Sequence, residues 1–261
     1  MDISTIVGLV CGLGSVYYVM LHGKVAHLIF NMEAAIIVFG GIVGATLVSY
    51  PVDMIIRALV ASKMSLFPPK QQAPDLAIHT VVNLAEVAKR NGIPSLAKEL
   101  PNIKDKFLSY AVQMLVDGYE PDLVRENLEK EIVFTRQRHQ QITGVFRTMG
   151  TYSPIFGLLG TLLGVMQVLK NLQDAEAMGT SMAVAVTATF YGVFGTNFLF
   201  LPLAAKLNVY SEKEVLLKEV MIEGIISIQA GEVPLVVSKK LETFLSHQVR
   251  EKMLPKNKKR K

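Results

Sequence analysis

Apolar residues dominate four stretches of the chain, and polar segments separate them. The first two stretches are residues 3–21 and 34–52, and the last two are residues 151–169 and 180–203. None of the four contains Asp, Glu, Lys, Arg or His. Each is long enough to cross a bilayer as a helix, since a helix rises about 1.5 Å per residue. The pattern predicts four transmembrane helices, of which the first two form an antiparallel hairpin.

The polar segments carry helical periodicity, and none shows the alternation of a strand. Residues 75–90 and 104–117 are amphipathic, and no helix breaker occurs between Leu123 and Met149, so the helix opened by Pro121 is expected to run on into the third span. The fold class is therefore all-α: a polytopic membrane protein with four transmembrane helices and a helical cytoplasmic domain. The predicted regions are a transmembrane hairpin at 1–53, a cytoplasmic helical domain at 54–149, the third and fourth transmembrane helices at 150–205, and a helical tail with a basic end at 206–261.

Charge distribution predicts the orientation of these spans. The short loops 22–33 and 170–179 contain one Lys or Arg each, whereas 54–149 contains thirteen and 206–261 contains twelve. Positively charged loops stay in the cytoplasm. The large segment and the tail are therefore expected inside the cell, and both termini with them. The composition agrees, because a chain that is 51% hydrophobic and 19% charged combines membrane and polar parts.

Small residues line one face of each of the last two spans. At 100° per residue, one face of the third span carries Gly157, Gly160 and Gly164, next to Ser153. The fourth span repeats this spacing with Ala185, Thr189, Gly192 and Thr196. The shared spacing predicts that both helices pack on the same object. Two interpretations remain open, a packing face within a helical bundle and a face that lines a partner helix carrying an ion site.

Chemistry-bearing groups are scarce. Membrane machines driven by ions normally keep an ionisable group inside the membrane, and these spans have none, so the chain alone is a poor candidate for a pump. Two hydroxyls at bilayer depth, those of Thr161 and Thr189, are suited to a site whose charge comes from another chain. No nucleotide-binding loop, zinc pattern or nucleophile–base motif is present. We therefore expect no catalytic residue, no metal site, no bound cofactor, no nucleic-acid partner and no enzyme.

The segments YSPIFGLLGTLLGVMQVL and GTSMAVAVTATFYGVFGTNFLFLPLAAKL carry a resemblance to a known family. With the layout of the spans, they make the chain resemble the A subunit of flagellar motor stators, the MotA and PomA family. The resemblance implies a bacterial inner-membrane torque unit in which a ring of A subunits, a pentamer, surrounds the transmembrane helices of two B subunits. The B subunit supplies an intramembrane aspartate and a peptidoglycan anchor, and the A subunit pushes on the rotor switch protein.

The resemblance also implies roles for individual residues. Pro154 and Pro202 match the prolines that couple ion passage to loop movement, and Thr161 and Thr189 match threonines beside the partner's aspartate. Lys89 and Arg90 match a basic pair that faces the rotor. The acidic part of that patch departs from the family pattern of adjacent glutamates. Glu99 keeps the negative charge, whereas Lys98 carries a positive charge instead. The polarity of the family's rotor contacts is therefore not carried over to this chain.

The resemblance also predicts the driving ion, and two other functions are alternatives to a stator subunit. Hydroxyls at both Thr161 and Thr189 resemble the sodium-driven branch of the family, so Na⁺ is favoured over H⁺ as the translocated ion. An energy-transducing subunit of the ExbB/TolQ kind is an alternative, although that group has three spans. A structural membrane scaffold is another, but it would not explain the paired threonines and prolines.

Overall fold

The fold is helical throughout the residues that the computed structural model describes, which are 3–23, 30–66 and 74–245. In these ranges no strand occurs, so the all-α prediction is confirmed; the predicted basic end of the tail lies outside them. Two short 3₁₀ turns, Ile93–Lys98 and Leu100–Asn102, lie between the helices Pro74–Asn91 and Lys106–Val116. The α-helices of the described residues are α1 (Ile3–His22), α2 (Met32–Ser49), α3 (Val52–Leu66), α4 (Pro74–Asn91), α5 (Lys106–Val116), α6 (Pro121–Lys170), α7 (Ala175–Gln229) and α8 (Pro234–Glu242).

Helix α6 is a single element of 50 residues that contains Pro154. The sequence predicted this continuity, because no breaker separates its polar and apolar halves. Helix α7 is equally continuous but begins at Ala175, five residues before the predicted fourth span. The Asp174 side chain explains the earlier start, since it accepts hydrogen bonds from the N–H groups of Glu176 at 3.0 Å and Ala177 at 3.1 Å. An N-cap, and not hydropathy, therefore decides where this helix starts.

Helices α2 and α7 each contain a π-helical turn, at Ile36–Gly40 and Gly195–Phe200. Helix α2 ends at Ser49, shortly before Pro51, and helix α3 then covers Val52–Leu66. The predicted second span extended to residue 52, and α3 was not predicted. Proline has no N–H with which to continue a helix, but its fixed φ suits the start of a new one, so Pro51 lies between the end of α2 and the start of α3.

Three of the described helices, α2, α6 and α7, are long and apolar enough to cross a membrane. Residues Val10–His22 of α1 form a shorter apolar helical stretch. The chain is thus a membrane protein by composition, while the count of four spans stays a prediction.

The chain divides into two compact units. The first consists of Met1–Pro69 and Arg138–Val209, and the second of Lys70–Gln137 and Tyr210–Lys261. Helices α6 and α7 each contribute one part to both units. The predicted domain boundaries at 53, 149 and 205 remain predictions.

The first unit has a small buried core and hydroxyl bonds between its helices. The hydroxyls of Tyr50 and Thr148 are hydrogen-bonded at 2.8 Å, and the Tyr191 hydroxyl accepts a hydrogen bond from the Asn31 N–H at 3.3 Å. The buried apolar residues of this unit are Ala34, Val38, Ile42, Ala58, Val145, Phe146, Met149, Val184, Ala188, Phe200 and Ala204.

The second unit encloses a larger core of branched and long side chains. Gly92 and Gly118 end α4 and α5 with φ of 81° and 76°, a backbone region that favours glycine. Both glycines were predicted as helix ends. The largest side chains that this unit buries fully are Ile78, Leu96, Leu108, Leu128, Met221, Ile225 and Leu241.

Candidate functional site

The small-residue faces of α6 and α7 pack directly against each other. A Cβ added to Gly164 would lie 2.8 Å from the backbone nitrogen of Ala185, and one added to Gly160 would lie within 3.8 Å of Ala188. In this chain the two faces contact one another, and their packing on one common object stays a prediction. We call this contact the seam; it consists of Gly157, Gly160 and Gly164 of α6 with Ala185, Ala188 and Gly192 of α7.

The backbones of the two helices are in close contact where the glycines Gly157 and Gly192 meet. A Cβ on Gly192 would lie 2.7 Å from the Ser153 carbonyl oxygen and 3.0 Å from the Gly157 Cα. Both neighbours are backbone atoms and cannot rotate away. Only glycine therefore permits this approach, which brings carbonyl and hydroxyl groups of one helix within reach of the other.

Thr161 and Thr189 meet at the seam. Their hydroxyls are hydrogen-bonded to each other across the two helices. The Thr161 hydroxyl also lies 3.1 Å from the Gly157 carbonyl oxygen and 3.3 Å from that of Ala185. The Thr189 hydroxyl lies 3.4 Å from the same Ala185 oxygen. Two hydroxyl and two carbonyl oxygens thus form one group, which we call the oxygen cluster.

The oxygen cluster can coordinate but cannot neutralise a cation. Thr161 is half-buried and Thr189 is exposed, so the cluster opens onto the surface of the first unit. None of its four oxygens carries a formal charge at neutral pH, because they belong to hydroxyls and amides. A cation held there would need a carboxylate from outside the apolar helices.

The two predicted coupling prolines stand beside irregular backbone. Pro154 lies inside α6 and leaves the Gly150 carbonyl without the N–H that residue 154 would otherwise donate. The Thr196 hydroxyl donates to that carbonyl oxygen at 3.0 Å. Pro202 follows the π-turn Gly195–Phe200 of α7 by two residues. Both prolines are exposed.

Lys89 and Arg90 lie in the last turn of α4 in the second unit. The Lys89 ammonium donates to the Gly231 carbonyl at 2.8 Å, so this residue stabilises the turn that follows α7. Arg90 lies 3.6 Å from Glu86, four residues earlier, and both side chains are well exposed. Of the basic pair, Arg90 is therefore the side chain more available to a partner.

Lys98 and Glu99 follow on the 3₁₀ turn after α4. Lys98 is exposed, whereas Glu99 is half-buried and accepts from the Asn102 amide at 3.3 Å. Glu99 also borders a groove of about 190 Å³. The four predicted rotor-facing residues thus lie close in sequence within one unit, and three of them, Lys89, Arg90 and Glu99, have a hydrogen-bond or ion-pair partner.

Sequence reasoning missed a charged network that links α6, α7 and α8 in the second unit. Lys240 lies 2.6 Å from Glu223 and 3.5 Å from Glu232, while Arg125 lies 3.4 Å from Glu223. The hydrogen bond from Lys240 lowers the pKa of Glu223, and the same bond raises the pKa of Lys240. Glu223 is 98 residues from Arg125 and 17 from Lys240 in the chain, so no local pattern indicates these partners.

No group of three or more His, Cys, Asp or Glu side chains suited to a metal ion occurs among the described residues. The oxygen cluster and the prolines are therefore the features of the first unit that suggest ion chemistry.

Comparison with known proteins shows the family of this chain. Residues 99–220 match the model of the MotA/TolQ/ExbB proton channel family. The chemotaxis protein PomA of Vibrio alginolyticus is 34% identical over 247 residues, which cover 94% of this chain and 96% of PomA. The chain belongs to the MotA/TolQ/ExbB proton channel family. Motility protein A of Borreliella burgdorferi is 32% identical, with 97% of both chains covered.

Solved structures of the family share the fold. The C. jejuni MotAB structure matches with a TM-score of 0.88 at 27% identity, over 95% of this chain and 97% of that chain. The flagellar MotAB stator complex from Bacillus subtilis matches with a TM-score of 0.87 at 28% identity, over 98% and 99%. The predicted resemblance to stator A subunits is confirmed, and this member of the family is a flagellar motor stator subunit that forms an ion channel.

Proposed function

We propose that copies of this chain surround the transmembrane helices of two B subunits, and that a B subunit completes the oxygen cluster with an aspartate. The observation that carries the proposal is the contact between Thr161 and Thr189 at the seam. It gathers four neutral oxygens at a position where the chain itself has no charged side chain. An aspartate brought by a neighbouring helix would supply the missing negative charge.

Structures of family members support the B-subunit part of this assembly. The solved relatives are MotAB complexes, which supports a B-subunit partner for this chain. We propose a ring of A subunits, a pentamer, with a peptidoglycan anchor on the B subunit. The mass of the purified complex tests this ring, because a pentamer gives five copies of this 28.7 kDa chain per complex. A different number of copies would contradict it.

We propose Na⁺ as the translocated ion, with H⁺ as the alternative. A proton needs only a carboxylate and a chain of water, whereas sodium needs several oxygen ligands that replace its hydration shell. The hydroxyls of Thr161 and Thr189 and the carbonyls of Gly157 and Ala185 provide such ligands, with hydroxyl-to-carbonyl distances of 3.1, 3.3 and 3.4 Å. These oxygens support sodium, although the threonines also bond back to their own helices.

A sodium titration tests the ion. Cells that depend on this stator are tracked for swimming speed while sodium is varied at constant membrane potential. We expect speed to fall with sodium, and Thr161→Ala to raise the sodium concentration for half-maximal speed by removing one ligand. Thr180→Ala serves as the control, because Thr180 bonds only to the turn before it on α7. Unchanged speed in sodium-free medium would reject sodium and leave the proton.

Pro154 and Pro202 are proposed to bend the helices when the ion passes. Pro154→Ala would place an N–H opposite the Gly150 carbonyl and so straighten α6. We expect the complex to assemble with normal mass while torque falls. Normal torque in this variant would show that the proline only packs.

The second unit is proposed to contact the rotor switch protein through the end of α4. Arg90 is the best-exposed charge there. Arg90→Glu should reduce motility without changing thermal stability, and a matching charge reversal on the rotor protein should restore it. Arg57→Glu is the control, since Arg57 makes a similar exposed pair on α3. Equal loss in both variants would argue against a specific contact.

We further propose four spans in the bacterial inner membrane, with both termini and the second unit in the cytoplasm. Single cysteines at Lys98 and Gln173 in a Cys11→Ser background test this orientation. Both positions are exposed. An impermeant thiol reagent should label position 173 but not position 98 in intact cells. The reverse pattern would overturn the topology.

A further inference from the structure

Two hydroxyls cross between α6 and α7 at the level of Pro154. The Ser153 hydroxyl of α6 donates to the Gly192 carbonyl of α7 at 2.7 Å, and Ser153 is fully buried. In the opposite direction, the Thr196 hydroxyl of α7 donates to the Gly150 carbonyl of α6 at 3.0 Å. Each helix therefore gives one hydroxyl to a backbone carbonyl of the other.

The Gly150 carbonyl has a particular need for this donor. It lies four residues before Pro154, whose ring carries no N–H, so the ordinary helical hydrogen bond is absent. An unsatisfied carbonyl is costly within an apolar region. Thr196 supplies from the neighbouring helix the donor that the proline removes. This segment of α6 is thereby hydrogen-bonded to α7, not to itself.

The hydrogen bond from Ser153 determines which carbonyl oxygen accepts the proton of the Thr196 hydroxyl. Thr196 also lies 3.0 Å from the Gly192 carbonyl of its own helix, and a hydroxyl has only one proton. The Gly192 oxygen already accepts from the Ser153 hydroxyl at 2.7 Å and from the Gly195 N–H. These two donors occupy its two lone pairs, so the Thr196 proton is left for Gly150. The two bonds therefore support each other.

Neighbouring side chains crowd the glycines beside these two hydrogen bonds. A Cβ on Gly195 would lie 2.8 Å from the Ser153 hydroxyl oxygen, and one on Gly150 would lie 2.9 Å from the Leu201 side chain. Glycines thus let the hydroxyls reach across. The π-turn Gly195–Phe200 of α7 includes Thr196 and stands beside the proline of α6.

We propose that Ser153 and Thr196 are positioning residues, a hydroxyl clamp that holds α6 against α7 at Pro154 and keeps Thr161 and Thr189 in register. Thr161 follows Pro154 by seven residues and Thr189 precedes Thr196 by seven, so both lie about 10 Å along their helices from the clamp. This role rests on the proposed ion-coupled function of the oxygen cluster. Movement at the proline would reach that cluster through the clamp.

A double-mutant cycle between Thr196 and Pro154 tests the clamp in the purified complex with the B subunit. Thr196→Val keeps the shape of the side chain but removes its donor, and we expect it to lower Tm by about 2–4 °C. Thr196→Ser keeps the hydroxyl and should restore the wild-type Tm. In a Pro154→Ala background the new N–H can serve Gly150, so Thr196→Val should then change Tm little.

Swimming speed gives a second measurement that does not depend on the identity of the ion. Thr196→Val should cut speed several-fold with normal assembly, and Thr196→Ser should retain most of it. An unchanged Tm and speed in Thr196→Val would overturn the proposal. So would an equal fall in Tm in the wild-type and Pro154→Ala backgrounds, because the hydroxyl would then act independently of the freed carbonyl. A failed sodium titration would instead reject only the proposed ion.

Discussion

The two units of this chain bring their helices together by different means. In the first unit, α6 and α7 meet through glycine, alanine and hydroxyls, while large apolar side chains such as Val48, Met166 and Val186 point outward at 90%, 64% and 65% exposure. In the second unit, large apolar side chains fill the interior and charged pairs lie outside. Lipid gives apolar side chains no reason to turn inward, so close backbone packing and hydrogen bonds must hold membrane helices together. In the second unit, which we propose to lie in the cytoplasm, water would drive apolar side chains into the interior.

The largest expected effect comes from the core of the second unit. Leu128→Ala removes a fully buried side chain and should cost about 2–5 kcal/mol of stability, because it leaves a cavity. Leu158→Ala is the matched control in the first unit, where Leu158 is 59% exposed. Thermal unfolding in detergent should show a large fall in Tm for Leu128→Ala alone. Similar falls for both variants would remove the distinction between the units.

A methyl group at the seam should have the next largest effect. Gly192→Ala places a Cβ 2.7 Å from a backbone oxygen of α6, and we expect a loss of about 1–3 kcal/mol together with motility. Gly179→Ala on the same helix meets no atom within 4 Å and should be tolerated. Normal motility of Gly192→Ala would show that the helices are not closely packed in the working complex.

The charged network of the second unit should contribute about 1 kcal/mol, since its side chains are partly exposed. The folded-state pKa of Glu223 is below its usual 4.5, so its contribution is present above that pH and is lost as the pH falls through the lowered value. Glu223→Gln should therefore lower Tm at pH 7 and flatten the dependence of Tm on pH in the acid range. An acid dependence identical to wild type would contradict this assignment.

The smallest effect on stability is expected for the exposed pair of Arg90 and Glu86. Arg90→Ala should change the free energy of unfolding by at most about 0.5 kcal/mol, because water screens both side chains. Denaturant unfolding measures this change. A loss above about 1 kcal/mol would show that Arg90 has a structural role, and a motility defect could not then be assigned to the rotor.

Much of the fold follows from local signals in the sequence. The continuity of α6 from Pro121 to Lys170 was predictable because no breaker interrupts it, and Gly92 and Gly118 marked the ends of α4 and α5. The start of α7 at Ala175 was missed, since the cap provided by Asp174 outweighs a change in hydropathy. Helix α3 was not predicted, because Pro51 signals the end of the helix before it as well as the start of the helix after it.

The candidate site was predictable in part. Periodicity placed Thr161 beside the glycine face, and Thr189 on the small-residue face, of their respective helices. It could not show that the two faces meet, because helical periodicity describes one helix at a time. Periodicity also could not predict the hydrogen bonds from Ser153 and Thr196, since each joins residues about 40 positions apart through a backbone carbonyl. Partners of this kind depend on how closely two helices approach.

The central claim is that this chain supplies a neutral oxygen cluster and that a partner supplies the charge. Ion flux into vesicles tests it most directly, with the chain reconstituted alone, with its B subunit, and with a B subunit whose transmembrane Asp is replaced by Asn. We predict sodium-dependent flux for the intact pair and none above empty vesicles for the other two preparations. Sustained, specific flux through this chain alone would contradict the account.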